Sequence, residues 1–475
     1  MQHRVTPANG VPVKTGDYVL YWMIAARRTT HSFALDHALA KARALDRPLV
    51  VFEPLRAGYR WASDRLHAFV LAGMADNARA FARAGITYLS YVEPAPGRGA
   101  GLLAALAKRA CLIVTDEQPG FFLPRMIAAA AKLDTRIELV DGNGILPLRA
   151  TDRAFATAAS FRRQLQKIVH PYLAMRPSAR PLSRLPAVVK GGEVAGSILR
   201  KWPSETTLAK LPIDHAVAPI AGGGAAAGAK LLDRFIADRL ARYVDDRNDP
   251  DREATSGLSP YLHFGHVGAH DVVERVWRDA AWDPSRISDK VTGSREGWWG
   301  LPAPHEAFLD QIITWRELGY GFCFHRRDYD RYGALPEWAR ATLAKHATDP
   351  RPHRYTLAQL EAAETFDPIW NAAQRQLCAD GTIHNYLRML WGKKVLEWSA
   401  SPRAALAAMI ELNNKYAVDG RDPNSYSGIL WTLGLFDRPW GPERPIFGTV
   451  RYMSSDATKK KLDVKRYLAR WSSAT

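Results

Sequence analysis

Three cysteines in 475 residues, Cys111, Cys323 and Cys378, are too few and too scattered for a disulfide framework or a zinc cluster. No apolar run approaches the length of a membrane span, and the opening residues MQHRVTPANG lack the apolar centre of a secretion signal. A reducing, cytoplasmic setting is therefore expected. No GxGxxG follows any strand-like segment, so the ordinary dinucleotide fingerprint is missing. There is no internal repeat either. Acidic residues are in deficit: 48 Asp and Glu against 65 Lys and Arg leave a formal charge of +17. Such an excess raises the local concentration of polyanions, and nucleic acid is the commonest of these.

What is present divides into two styles of sequence. The first third alternates strand-like and helix-like segments: an apolar run at 17–25, a helix at 32–45, a strand at 47–55 and a long amphipathic helix at 64–84. ITYLSYV, GLLAALAKRA, CLIVTDE, a helix at 124–132 and RIELVDG continue the rhythm. Strand, helix, strand at this spacing predicts an α/β domain over 1–147, a parallel sheet with helices on both faces. Residues 148–229 are proline-rich and irregular, with basic stretches such as SFRRQLQK, and read as an interdomain connection. Within it AGGGAAAG (221–228) has no Lys-Ser pair after it and no strand before it, and reads as a flexible hinge, not a phosphate loop. From 230 to 475 apolar residues recur every three or four positions, predicting an all-α domain.

Two segments of the helical half carry candidate chemistry. In TIHNYLRMLWGKKVLEW, Asn385, Arg388 and Met389 stand at or just after a helix start, where unpaired backbone amides and a cation suit an anionic phosphate. In LNNKYAVDGRDPNSYSGILW, Asp419, Arg421 and Asp422 fall in a loop broken by Gly and Pro that suits polar recognition of a planar heterocycle. His263, His266 and His270 have metal-compatible spacing, but no carboxylate or cysteine completes a ligand set, and no metal is expected.

RYVDDRNDP, TSGLSPYLHFG, FLDQIITWREL, DPIWNAAQ, GTIHNYLRMLWGKKVLEW, ALAAMIELNNKYAVDGRDPNSYSGILW and ERPIFGTVRYM, in this order, resemble the signature of the class II cyclobutane-pyrimidine-dimer photolyases of the photolyase/cryptochrome superfamily. The resemblance implies an N-terminal α/β antenna domain and a C-terminal helical domain holding FAD. It assigns Tyr243 and Thr255, Ser256, Gly257, Leu258 and Ser259 to FAD-phosphate contacts, and Arg388 to the diphosphate. Asp419 and Asp422 fall to the flavin ring, and Asn413 to the amide beside the flavin's reactive central nitrogen, where a hydrogen bond favours reduced flavin. Trp370, Trp391 and Trp398 match the class II electron-transfer chain from the surface to the flavin, with Trp391 and Trp398 two helical turns apart on one face. Trp315, Met389 and Trp431 become walls of the lesion pocket, and Arg451 a DNA-facing residue. A dimer flipped from the duplex needs aromatic faces in place of lost stacking, and cations for its phosphates.

The implied activity is light-driven repair of pyrimidine dimers in DNA by a deoxyribodipyrimidine photolyase, expected to be a monomer. An antenna chromophore of deazaflavin or methenyltetrahydrofolate type belongs to the same expectation, although no motif in 1–147 names one. The chain departs from the pattern in three places. Gln311 stands where class II enzymes usually carry glutamate, four residues before Trp315, and an amide donates a hydrogen bond but no proton. Asp310 is adjacent, but on an α-helix it points roughly 100° away. Phe366 replaces a common histidine, and a long insert at 286–306 contains Trp298 and Trp299, within reach of the site. These departures leave a second reading open, a photolyase-like flavoprotein acting as a blue-light receptor or on another substrate.

Overall fold

The computed structural model describes residues 3–472. Contacts cluster in two units. The first runs up to Thr151 and also takes Ile168–Asp233 and Gly257–Ala281; the second takes Asp152–Lys167, Arg234–Ser256 and the chain from Trp282 onward. Residues 148–229 are thus shared between them.

The first unit is an α/β layer structure. Its elements follow as β1 (Val5–Pro7), β2 (Tyr18–Trp22), α1 (Phe33–Ala44), β3 (Leu49–Leu55), α2 (Asp64–Ala84), β4 (Thr87–Val92), α3 (Leu102–Arg109), β5 (Ala110–Asp116), α4 (Leu123–Ala130) and β6 (Ile137–Val140). The strands order as β1-β6-β5-β2-β3-β4, parallel throughout except for β1 against β6. Side chains alternate across the pleat, so Tyr18, Leu20 and Trp22 of β2 join one core with α3 and α4. Val19 and Tyr21 join the opposite core with α1. This is the doubly covered parallel sheet expected from the alternating apolar runs. The antiparallel edge strand β1 went unforeseen, because three residues ending in Pro carry almost no strand signal.

The glycine-rich stretch at 221–228 is more ordered than a hinge. Its alanines already begin the helix Ala225–Asp238, as their propensity favours. A Cβ on Gly223 would meet the Phe69 carbonyl at 2.4 Å, so the backbone packs directly on α2. Nearby, His266 accepts from Gly224 N–H at 3.1 Å and stacks on Phe69, and burial lowers its pKa to about 3. It serves as a neutral packing group.

In the second unit eight segments position the site. They are α5 (Ala158–Ile168, up to Lys167 in this unit), α6 (Ala303–Leu309), a π-helical turn (Asp310–Trp315), α7 (Arg316–His325), α8 (Pro368–Asp380), α9 (Asn385–Trp398), α10 (Pro402–Tyr416) and α11 (Pro423–Trp431). Three of these starts carry side-chain caps. Asp367 accepts from Ile369 and Trp370 N–H before α8, Ser401 caps α10, and Asp422 caps α11 with Pro423 at its first position. Helix α9 packs between α8 and α10, α10 against α11, and α11 against α7. Gly392 lets α9 approach the end of α11, since a Cβ there would lie 2.5 Å from Thr432 Cγ2. Among the described residues no helix is long and apolar enough to cross a membrane.

Candidate flavin and lesion site

Helix α9 carries the densest set of expected residues. At its start Asn385 is exposed, while Arg388 and Met389 are half-buried. Arg388 reaches across to Asp419, with Nη1 and Nη2 donating to the two carboxylate oxygens at 3.3 and 3.1 Å. Its Nε is buried with no partner among the described residues. The arginine expected at the diphosphate and the aspartate expected at the ring thus form one ion pair. His384, just before α9, is held neutral: burial lowers its pKa to about 4 against the opposing effects of the Arg247 backbone and Asp249.

The loop after α10 closes the same region. Asn413 is buried and donates to Ser425 Oγ at 2.6 Å, and Asn414 donates to Tyr426 OH and accepts from Arg421 N–H. Arg421 adopts φ 67° and spends its guanidinium on the Asn414 and Val418 carbonyls. Asp422 receives the Tyr320 hydroxyl at 2.9 Å while capping α11. Tyr243 packs edge-on to Phe235 and Phe308, and burial raises its hydroxyl pKa. The Thr255 carbonyl accepts from Arg239 at 3.3 Å. Ser256 ends this unit's segment, and Gly257, Leu258 and Ser259 fall in the first unit.

The three tryptophans meet as a continuous stack. Trp370 lies parallel to Trp391, centroids 6.3 Å apart at 5°, and edge-on to Trp398 at 5.5 Å. Residue 370 is therefore the middle ring, a relation that the seven-residue spacing of the other two does not reveal. All three are buried, so none is itself at the surface. Beyond Trp398 lie Tyr355, edge-on at 5.3 Å, and the exposed Phe366 at 5.8 Å. Phe366 thus belongs to the outer end of this stack. Trp391 donates its indole N–H to Gln374 at 2.9 Å, and Trp370 donates to the Trp391 carbonyl at 3.0 Å. Gln374 was not expected, although its place four residues after Trp370 on one helix face was a usable signal.

Around the expected lesion pocket, Gln311 and Trp315 sit four apart in the π-helical turn. From Phe308 to Tyr320 every other residue is buried; these two are half-exposed. Neither side chain makes a hydrogen bond or ring contact with another described residue. Asp310 is turned away into an ion pair with Arg162. In the insert, Trp298 and Trp299 are buried and edge-on at 4.8 Å, and Trp299 packs on Trp282.

A second cluster joins α9 to the end of α11. Arg451 lies 4.0 Å from the Trp440 centroid and 5.8 Å from that of Trp431, held by Asp437 at 2.9 Å. Trp440 N–H also donates to Asp437 at 3.0 Å. Burial alone would raise the Asp437 pKa, but these bonds hold it below the usual carboxylate value. Lys393 is fully buried, donates to the Thr432 carbonyl at 2.6 Å and stands 5.0 Å from the Trp431 ring. Burial drives its pKa from 10.5 down to about 7, with Asp437 opposing and Arg451 reinforcing. Between these values the unfolded chain binds the extra proton, so stability rises with pH, by at most about 1.4 kcal/mol per pH unit. Lys393→Met should remove that rise, and denaturant melts at pH 7.5 and 9.5 test it. Equal slopes in variant and wild type would disprove the assignment.

Among the described residues no group of three or more His, Cys, Asp or Glu could hold a metal ion. No family model matches the chain. Curated relatives do. The chain is 34% identical over 488 residues to a deoxyribodipyrimidine photo-lyase of Oryza sativa, covering 98% of this chain and 89% of that protein. It is 31% identical over 471 residues to one from Methanothermobacter thermautotrophicus, covering 98% and 97%. Among solved structures, a Synechocystis cryptochrome superposes with TM-score 0.71 at 15% identity, covering 96% of this chain and 89% of that one. A class III photolyase from Agrobacterium tumefaciens gives 0.69 at 18%, covering 97% and 87%; at such identities these two speak for the fold alone. With the sheet, the helical unit and near-complete alignment to these enzymes in hand, the chain belongs to the deoxyribodipyrimidine photo-lyase family, light-driven DNA-repair flavoproteins of the photolyase/cryptochrome superfamily.

Proposed function

We propose that this chain reverses cyclobutane pyrimidine dimers in DNA, in the manner of class II photolyases, with FAD in the helical region 230–475. The carrying observation is the pairing of a free amide, Gln311, with a free indole face, Trp315, on an otherwise buried helix. One face stacks on a flipped base and the amide donates to its carbonyl. Met389 and Trp431 add apolar walls, and Arg451 addresses the DNA.

The residues fit a flavin. Arg388 leaves a buried N–H without a partner beside its Asp419 pair, and the buried Asn413 offers an amide next to the Asp419–Asp422 loop. Because Arg388 is spent on Asp419, we place both at the ring, leaving the phosphates to Tyr243, Thr255 and Ser256. When bound, reduced FAD supplies the excited-state electron donor. The protein's part is to hold that donor, exclude water and position the dimer. Trp391, Trp370 and Trp398 pass electrons inward to restore the reduced state. The α/β domain 1–147 is proposed as the antenna domain, 148–229 as the connection, and the chain as a monomer.

Purified protein with reduced FAD, given a dimer-containing oligonucleotide, should lose dimer only under blue light. Gln311→Glu should raise the yield per absorbed photon modestly, by the equivalent of about 1 kcal/mol, since a protonated carboxyl is the stronger donor to developing negative charge. Inactivity of both proteins with FAD bound and reduced would favour the photoreceptor or altered-substrate reading.

A further inference from the structure

The basic stretch SFRRQLQK, the insert and the π-helical turn are joined by one side chain. Arg162 of α5 grips Asp310, the first residue of the turn, with Nε to Oδ1 at 2.8 Å and Nη2 to Oδ2 at 3.1 Å, both side chains nearly buried. Its remaining Nη1 donates to the Gly293 carbonyl in the insert at 3.1 Å. Neighbours on α5 extend that grip: Arg163 donates to the Thr292 carbonyl, and Gln166 both donates to the Ser294 carbonyl and accepts from Gly293 N–H. On the far side of the insert, buried Glu306 accepts from the backbone N–H of Gly297, Trp299 and Leu301. Glu306 precedes Asp310 by one helical turn.

A π-helical turn is rare, is found mostly as a single-turn insertion within an α-helix and is frequent at functional sites, so what holds it in place bears on the site it shapes. Here the Arg316 N–H bonds back five residues to the Gln311 carbonyl, the closure that defines the turn. The fork-to-fork ion pair is the stiff external tie at its entrance, since a bidentate guanidinium–carboxylate contact fixes direction as well as distance. We propose that the Arg162–Asp310 pair is a positioning element that holds this turn and so sets how Gln311 and Trp315 meet a dimer, with the insert as its brace. Asp310 is thereby excluded as a stand-in for the missing glutamate. The proposal rests on the reading of Gln311 and Trp315 as lesion contacts.

The test uses the full-length FAD-loaded protein, a dimer-containing oligonucleotide and its undamaged counterpart. Binding of each is measured in the dark for wild type, Asp310→Asn and Arg162→Lys, with FAD content and melting temperature alongside. A shift of the pocket residues by about 1 Å is enough to cost up to roughly a hundredfold in a positioned reaction. Both variants should therefore lose preference for the dimer, about tenfold or more for Asp310→Asn and less for Arg162→Lys. Repair yield should fall in the same order, with flavin content and affinity for undamaged DNA unchanged. Wild-type preference retained in both variants would overturn the proposal and leave the pocket reading standing. Equal loss of affinity for damaged and undamaged DNA would make the pair a support of the fold only, and also overturn it. If Asp310→Asn does not fold, Arg162→Lys decides. A wild type that prefers neither DNA would defeat the pocket reading first, and this proposal with it.

Discussion

Trp370→Phe is expected to stop light-driven reduction of oxidised FAD while leaving repair by chemically reduced protein largely intact. Trp370 is the ring through which Trp391 and Trp398 communicate, parallel to the first at 6.3 Å and edge-on to the second at 5.5 Å. Phenylalanine keeps an apolar ring in the core but is far harder to oxidise than indole, so the relay breaks at its centre. It also removes the donor to the Trp391 carbonyl, a change felt within the stack itself. In the proposed repair the electron would travel between flavin and dimer, so the relay would not be used. Trp391→Phe should behave alike. The measurement is flavin bleaching under blue light with an external reductant, followed by dimer loss after chemical reduction. A Trp370→Phe protein that photoreduces at the wild-type rate would refute the assigned chain.

The layer architecture was readable because both signals are local. Alternating apolar strands such as 18–22 and 49–55 must be buried on both faces, and that demands helices on either side of a parallel sheet. The tryptophan set was readable for a different reason, since spacing within a resembling motif carries it. Its order was not readable, because Trp370 comes from α8 and only tertiary packing places it between two residues of α9. The same limit hid the Arg388–Asp419 pair, which joins α9 to a loop 31 residues on. The π-helical turn was invisible for a more basic reason. Its sequence, DQIITW, has the apolar spacing of an ordinary helix, and the tie that accompanies the turn comes from Arg162, 148 residues earlier. Long-range partners of this kind leave no periodic trace. SFRRQLQK read as a basic stretch for the same reason: its two arginines proved to be anchors for the insert and the turn.

The pocket itself is tested most sharply by Trp315→Ala, which should weaken binding of dimer-containing DNA by about 1–3 kcal/mol, roughly 5- to 150-fold. That is the stacking a single base loses with its aromatic platform. The variant should fold normally, since Trp315 is half-exposed and has no ring partner among the described residues whose packing would collapse. Trp315→Phe should recover most of the affinity, because a smaller ring still offers a face. Binding of undamaged duplex should not change, since phosphate contacts supply it and Trp315 is not a cation. For the same reason all three proteins should share one salt dependence, with a log–log slope of about −5 if some six phosphates are neutralised, consistent with the +17 charge. Titrations of both DNAs across a salt series separate the two terms. Parallel losses on damaged and undamaged DNA would show that Trp315 supports a general DNA surface. Unchanged dimer affinity with an intact salt slope would mean that the base does not stack here, and the lesion pocket would have to be sought around Trp431 and Trp440 instead.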